Sequence, residues 1–436
     1  MRKRIAIGVA VATVSLVAAA CGDDSSSSDA TTAATTAAPG GATTAGSGGG
    51  TTVARTASDT GVTADKISIG FVASTTGAAG PNNTGMVKAA KARVALENDN
   101  GGVNGRKIDL VDADDQSDTT RNPAVIQQLV EGNKVFAVIA NSPFVFAGYR
   151  YLQDKKLPTV VGGYDGSPYW TPGMEMFFPA TVSVQGWNYD GLAKYAKDHG
   201  ATKLGGIGYG QSPSSSASAK AFLDAGKSLG MDAPYLNTSV PFGGVDVAPI
   251  ALALKQQNID GLWMAMNNNT NFAIVTAAKQ AGANLKAAIS ATGYGQDLLD
   301  QPTALAAAEG SYFSVGYQPV ETGTAQVKAF QDALKKYANY TGVPDFGWYQ
   351  GWISTDLMIQ GLKAAGPNPT RDSLQKGLNS IKDYDANGLL ASKTDYTPAG
   401  YGKQPEQSCG YYVKVTGGKY VPDPAPNGIS CGKKIN

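Results

Sequence analysis

Histidine is almost missing: His199 is the only one in 436 residues, and there are three cysteines. No Cys-x-x-Cys pair, His-Glu-x-x-His, Gly-x-Ser-x-Gly elbow or Walker A loop occurs. The common zinc, serine-hydrolase and nucleotide-triphosphatase chemistries therefore lack their residues. Charge is sparse at 16%, the formal net charge is +1, and no long basic run follows Arg4, so nucleic acid is not an expected partner. The apolar run Ile5 to Val17 is too short for a mature span, and no second stretch is long enough to cross a bilayer. Asp112, Asp114, Asp115 and Asp118 lack the glycine turn and bidentate glutamate of a calcium loop, so they read as capping and solvated groups. His199 precedes Gly200 at a helix end, where contact with the last carbonyls is expected. Gly206, Gly208 and Gly210 lack dinucleotide spacing and read as points of close backbone packing. Neither a metal, nor a cofactor, nor catalysis is expected.

What is present begins with a secretory pattern, Arg2-Lys3-Arg4 ahead of the apolar run. The run ends in Ala18-Ala19-Ala20-Cys21-Gly22, which resembles the lipobox of bacterial lipoproteins and marks Cys21 for lipidation. From Gly22 to about Thr56 the chain is Ser, Thr, Ala, Gly and Asp with almost no large apolar residue. Such a segment cannot bury enough surface to order itself. It reads as a tether reaching on the order of 30–35 Å from a membrane. Cys409 and Cys431 share the terminal segment. Outside the cytosol such a pair reads as a disulfide, here stapling a ribbon around the hairpin Tyr411 to Val421.

Between these ends strands and helices alternate. Lys66 to Val72, Lys107 to Asp112, Val135 to Ala140 and Thr159 to Val161 read as strands. Helices fall between them, one capped by Asn122 with Pro123 at its first position and closed by Gly132. A second series follows Thr181, with helices Val184 to His199, Ser215 to Leu229, Val247 to Gln257 and Asn271 to Ala281. Its strands are Lys203 to Tyr209, Tyr235 to Val240, Gly261 to Met266 and Ala287 to Ser290. Two such series predict an α/β chain with two doubly wound, Rossmann-like lobes. Ligands of such sheets bind outside the carboxyl ends of the strands. Those ends carry Ser74, Thr75 and Thr76, then Asn141 and Ser142, Gly163 to Asp165, Gln211 and Asn267. They are polar and mostly uncharged, which suits binding better than acid–base work. Tyr164, Tyr209 and Tyr294 stand in post-strand loops as candidate ring-and-hydroxyl contacts, whereas Trp187, Trp263, Trp348 and Trp352 read as packing.

Ile67-Ser68-Ile69-Gly70, Thr76-Gly77-Ala78-Ala79-Gly80, the run Asn100 to Ile108 and Asp114-Asp115-Gln116-Ser117-Asp118 resemble the opening of leucine/isoleucine/valine-type periplasmic binding proteins. The likeness covers essentially the whole body after the tether. It implies the type I fold, two lobes joined by three crossings, near Phe177 to Thr181, Tyr312 to Tyr317 and Tyr384 to Gly388. Lobe one would be 63–180 and 316–384, lobe two 181–315 and 385–436, after a signal over 1–20 and a tether over 21–62. It further implies a monomeric receptor handing a small molecule to ABC permease subunits. An extracellular sensory module working through a separate membrane partner is the alternative. In amino-acid binders of this family lobe one holds the α-carboxylate, and the matching stretches are Asn141 to Phe144 and Gly162 to Asp165. The position of the acidic partner for the α-ammonium falls on Gly244, with Asp246 two residues on, and Pro81 replaces an aromatic. These departures favour a neutral molecule or small organic acid over a free amino acid, unless Asp246 turns inward.

Overall fold

The computed structural model describes residues 54–162, 176–177, 188–401 and 403–435. Near-continuous apolar runs form a first sheet from β1 (Lys66–Ala73), β2 (Lys107–Asp114), β3 (Ala137–Asn141), β4 (Thr159–Val161) and β5 (Met176–Phe177). Its order is β2-β1-β3-β4-β5 and every pairing is parallel, Ile69 lying between Leu110 and Ala137. Parallel strands buried on both faces read as unbroken hydrophobic stretches, which is how β1 and β3 read. The connections contain α1 (Met86–Asp99), α2 (Arg121–Gln127) and α3 (Tyr149–Asp154).

The second series begins with β6 (Asn188–Tyr189), α4 (Gly191–Asp198), β7 (Lys203–Tyr209), α5 (Pro213–Ser228), β8 (Asp232–Val240) and α6 (Ala248–Gln256). It continues through β9 (Gly261–Ala265), α7 (Asn268–Gln280), β10 (Ala287–Ser290), α8 (Gln296–Leu299), α9 (Pro302–Ala307) and β11 (Tyr312–Val315). The ends of α5 and α7 are set by Ser212 and Asn267, whose side chains accept the Ser215 and Thr270 N–H groups. Helices α10 (Ala325–Ala338), α11 (Phe346–Ala364) and α12 (Arg371–Leu378) follow. Helices α10 and α11 pack on α1 of the first lobe. Three last strands, β12 (Gln407–Thr416), β13 (Lys419–Pro422) and β14 (Ile429–Ile435), return to the second sheet. That sheet runs β6-β14-β12-β11-β10-β9-β7-β8, parallel from β11 to β8, with β13 added on β12. The fold is the two-lobed α/β arrangement.

Several local expectations change. Thr120, not Asn122, precedes α2, and Asn122 is fully buried. A π turn at Gln128–Gly132 ends that helix. The expected helix from Val184 to His199 instead starts at Gly191, after the short strand β6 at Asn188–Tyr189; the segment 178–187, with Trp187 and the first crossing beyond Phe177, lies outside the described residues. Cys409 and Cys431 are bonded, and they face each other in register across β12 and β14. The bridge therefore joins β12 to the last strand, while the hairpin β12–β13 stands beside it. Gly206 and Gly208 pack as expected: a Cβ would lie 2.5 Å from the Ala219 carbonyl oxygen and 2.6 Å from that of Ser215, so α5 rests directly on β7.

Two crossing segments are fastened to each other where the chain passes between the sheets. The Gln318 N–H donates to the Leu389 carbonyl at 2.7 Å. Tyr317 stacks on Tyr349 of α11 with ring centroids 3.8 Å apart, and the Tyr349 hydroxyl donates to the Gln318 carbonyl at 2.7 Å.

Candidate functional site

All five parallel strands of the first sheet end at one edge, and its polar groups gather there around Asp114, the last residue of β2, and Asp115, the next. Asp115 is fully buried. Ser74 Oγ donates to its Oδ1 at 2.6 Å, Asn122 Nδ2 to its Oδ2 at 2.8 Å, and the Ser117 N–H to Oδ1 at 3.0 Å. Ser142 Oγ also donates to Oδ2. Having given its proton away, the Ser142 hydroxyl accepts the Phe144 N–H at 3.0 Å. Asp114 is treated in the same way one residue earlier. Thr76 Oγ1 donates to its Oδ2 at 2.6 Å and the Thr75 N–H to its Oδ1 at 3.0 Å. Burial alone would raise the Asp114 carboxyl, but hydrogen bonds from Thr76, Gln116 and Thr75 outweigh it and hold the group below its ordinary value. The reading of Asp115 as a solvated group fails because two strand-end serines and Asn122 enclose it. Asp112, by contrast, does pair with Lys91 at a partly exposed position, 2.6 Å away.

Asn141 is spent on the fold. Its Nδ2 donates to Ser354 Oγ at 3.0 Å and to the Gln350 carbonyl at 3.2 Å, tying β3 to α11. Phe144 instead faces the other lobe, its ring centroid 5.8 Å from that of Phe242 at 49°. Phe242, in the loop after β8, stacks on Tyr209 at 4.1 Å and 22°. Gln211 Oε1 accepts the Phe242 N–H at 2.7 Å, which fixes the loop. The Tyr209 hydroxyl accepts the Asn267 N–H at 3.2 Å and lies 3.1 Å from Thr270 Oγ1. Burial raises the Tyr209 hydroxyl above its ordinary value, against the pull of the Thr270 and Asn267 bonds, so it stays protonated.

Thus Phe144, Tyr209, Gln211 and Asn267 form one cluster around Phe242, and Ser74, Thr75, Thr76 and Ser142 form another around Asp114 and Asp115. Asp246 belongs to neither. It is exposed, with Oδ1 accepting the Ala248 N–H at the start of α6. Tyr294 is also apart and buried, its hydroxyl accepting the Val320 N–H at 2.9 Å and donating to Glu321 Oε2 at 2.8 Å. Gly163, Tyr164 and Asp165 lie outside the described residues, as does Cys21. Phe242 and Asp115 were missed as site residues. An Asp-Asp pair closing a strand was the available sign of the second; a lone ring in a polar loop offered none for the first.

Residues 66–419 match the family model described as periplasmic binding protein. The chain belongs to that family. Members of the periplasmic binding protein family are extracytoplasmic ligand binders, not enzymes, and this chain is a solute-binding protein. No sequence relative is found among curated proteins. Solved structures share its fold. One is the fatty acid ABC transporter substrate-binding protein from Thermomonospora curvata, 20% identical over 85% of this chain and 94% of that one, TM-score 0.69. Another is the branched-chain amino acid transporter substrate-binding protein LivJ from Streptococcus pneumoniae in complex with isoleucine, 20% identical over 85% and 99%, TM-score 0.66. A third is an ABC transporter solute-binding protein from R. palustris in complex with benzoate, 16% identical over 85% and 97%, TM-score 0.67. In a periplasmic binding protein the two lobes close over ligand by hinge motion, so groups that meet across the lobes bear on closure. Among the described residues these include the Phe144 and Phe242 rings and, on another flank, the Gln296 N–H, which donates to the Val343 carbonyl at 2.8 Å.

Proposed function

We propose that this chain is the solute receptor of an ABC importer, held at the outer face of the cell membrane by a lipidated Cys21 and the tether that follows. The lobes are 63–180 with 316–384 and 181–315 with 385–436, and the monomer hands its solute to permease subunits. The observation that carries this reading is the meeting of lobe-one Phe144 and lobe-two Phe242 at the carboxyl ends of parallel strands in the two sheets, where ligands of such sheets bind. Ser142 Oγ accepts the Phe144 N–H and Gln211 Oε1 the Phe242 N–H, so a strand-end hydroxyl and a strand-end amide hold the two residues that meet there. The solute is a small amino-acid-like molecule, amide or organic acid, a range that matches the isoleucine and benzoate named for two solved structures of the same fold. The proposed contacts lie among Ser74 to Thr76, Ser142, Phe144, Gly163 to Asp165, Tyr209, Gln211, Asp246 and Asn267.

Mass spectrometry of small molecules released by denaturing the purified protein tests the receptor reading. A defined solute is expected that rebinds the refolded protein, and whose affinity drops in Phe144→Ala. Protein that releases nothing and is stabilised by no member of a solute library is not a receptor. The anchor has its own test: Cys21→Ala should shift the protein from the membrane to the soluble fraction, and unchanged fractionation removes the anchor from the proposal.

A further inference from the structure

The lobe-one strand ends look, by residue type, like a cradle of donors for a carboxylate. Their hydrogens point elsewhere. Ser74 Oγ and Ser142 Oγ both give their protons to Asp115, and Thr76 Oγ1 and the Thr75 N–H give theirs to Asp114. A hydroxyl has one proton, so the three hydroxyls can still offer a ligand only lone pairs, and the Thr75 N–H offers nothing further. Neither Asp114 nor Asp115 forms an ion pair among the described residues. The two carboxyl groups behind the hydroxyls are therefore held by hydrogen bonds alone, with no cation beside them among the described residues. A ligand carboxylate placed there would meet acceptors and like charge in a desolvated setting, which is strongly unfavourable.

A second observation has the same sign. Beside Asp115, Asn122 Oδ1 is a buried acceptor with no donor among the described residues. Buried polar atoms are almost always paired, so an orphan acceptor there favours a partner that brings hydrogens. We infer that the solute is read at lobe one as a hydrogen-bond donor, a neutral amide or similar N–H or O–H rich molecule, and that it places no carboxylate against Ser74 and Ser142. Its apolar part would lie against Phe144 and Phe242. This inference rests on the receptor reading and narrows its solute class.

Matched pairs test it: benzamide against benzoate, and leucinamide against leucine, by calorimetry on the wild-type protein, together with the chemical identity of the released solute. The amide of at least one pair is expected to bind tenfold or more tighter than its acid, and the released solute to lack a carboxylate. Asp115→Asn turns the buried acceptor into a donor and should cut the amide preference at least tenfold. Because that residue is buried and the variant can misfold, Asp114→Asn at its partly exposed neighbour provides the same test with a smaller shift. An acid that binds the wild type as tightly as its amide, or a released solute carrying a carboxylate, overturns the inference and leaves the receptor reading standing. Protein that releases nothing and binds neither member of either pair overturns both.

Discussion

Phe144 and Phe242 touch across the two lobes, with centroids 5.8 Å apart and planes at 49°, although their sheets are built from separate halves of the chain. Phe242 is only half-buried, and its backbone is held by Gln211 rather than by its own ring. Aromatic pairs of this kind are worth roughly 0.5–1.5 kcal/mol beyond their burial. Phe242→Ala should therefore leave thermal stability nearly unchanged while weakening binding of the released solute by about tenfold. Calorimetry beside a melting curve checks this. Equal losses in stability and affinity would make Phe242 a packing residue.

Asp345 caps α11 by accepting the Trp348 N–H at 3.2 Å, close against Gly295 of the other lobe. Burial, aided by the charge of Asp297 and opposed by the Trp348 and Gly347 N–H groups, pushes its carboxyl from an ordinary 3.8 up to about 7. Between those values the folded chain keeps a proton that the unfolded chain has released. Stability should thus fall as pH rises from about 4 to about 7, by no more than about 1.4 kcal/mol per pH unit. The true slope is shallower because the side chain keeps some solvent contact. Asn caps as well as Asp, so Asp345→Asn should flatten this part of the pH–melting profile without losing the helix. A wild-type profile parallel to that of the variant would refute the assignment.

The strands were legible where apolar runs sit between breakers: Lys203 to Tyr209 and Ala287 to Ser290 are strands with those limits. Periodicity and turn residues are local, and so is the information they carry. The site was legible only as residue types at strand ends. Which way a hydroxyl points depends on partners far along the chain, as Ser74 to Asp115 and Ser142 to Asp115 show, separated by 41 and 27 residues. Asn122 illustrates the same conflict. Asn-Pro is a sound helix-start signal, yet the buried Asp115 claims its amide. Tyr294 sat in a post-strand loop like its neighbours in sequence, but its hydroxyl is bound to Val320 and Glu321 after the second crossing.

The Cys409–Cys431 bond closes a loop of 22 residues between two hydrogen-bonded strands. In the chain-entropy account such a loop is worth about 3 kcal/mol. The double variant Cys409→Ser/Cys431→Ser should lose roughly that amount in denaturant unfolding. Thiol titration of the unfolded, unreduced wild-type protein should find neither cysteine free. Two reactive thiols there would remove the bond from the fold.

Arg93 on α1 is enclosed by acids. Its Nε lies 2.9 Å from Asp356 Oδ1 and its Nη1 3.1 Å from Glu97 Oε2, with all three side chains at most 10% exposed. Lys363 also reaches Glu97, at 2.8 Å, and the Tyr384 hydroxyl donates to Asp356 Oδ2 at 3.1 Å. The network thus links α1 to α11 and to the segment that leads into the Leu389 crossing. Removing one member of a buried pair costs more than the pair contributes, because the remaining charge stays desolvated. Arg93→Met is expected to lose about 3–5 kcal/mol in urea unfolding. Lys363 can still neutralise Glu97, so the orphan in that variant is Asp356. Adding Asp356→Leu should then recover a large part of the loss, which a simple cavity at Arg93 would not allow. A double variant as unstable as the sum of its single variants would show that the pair contributes packing and little charge compensation.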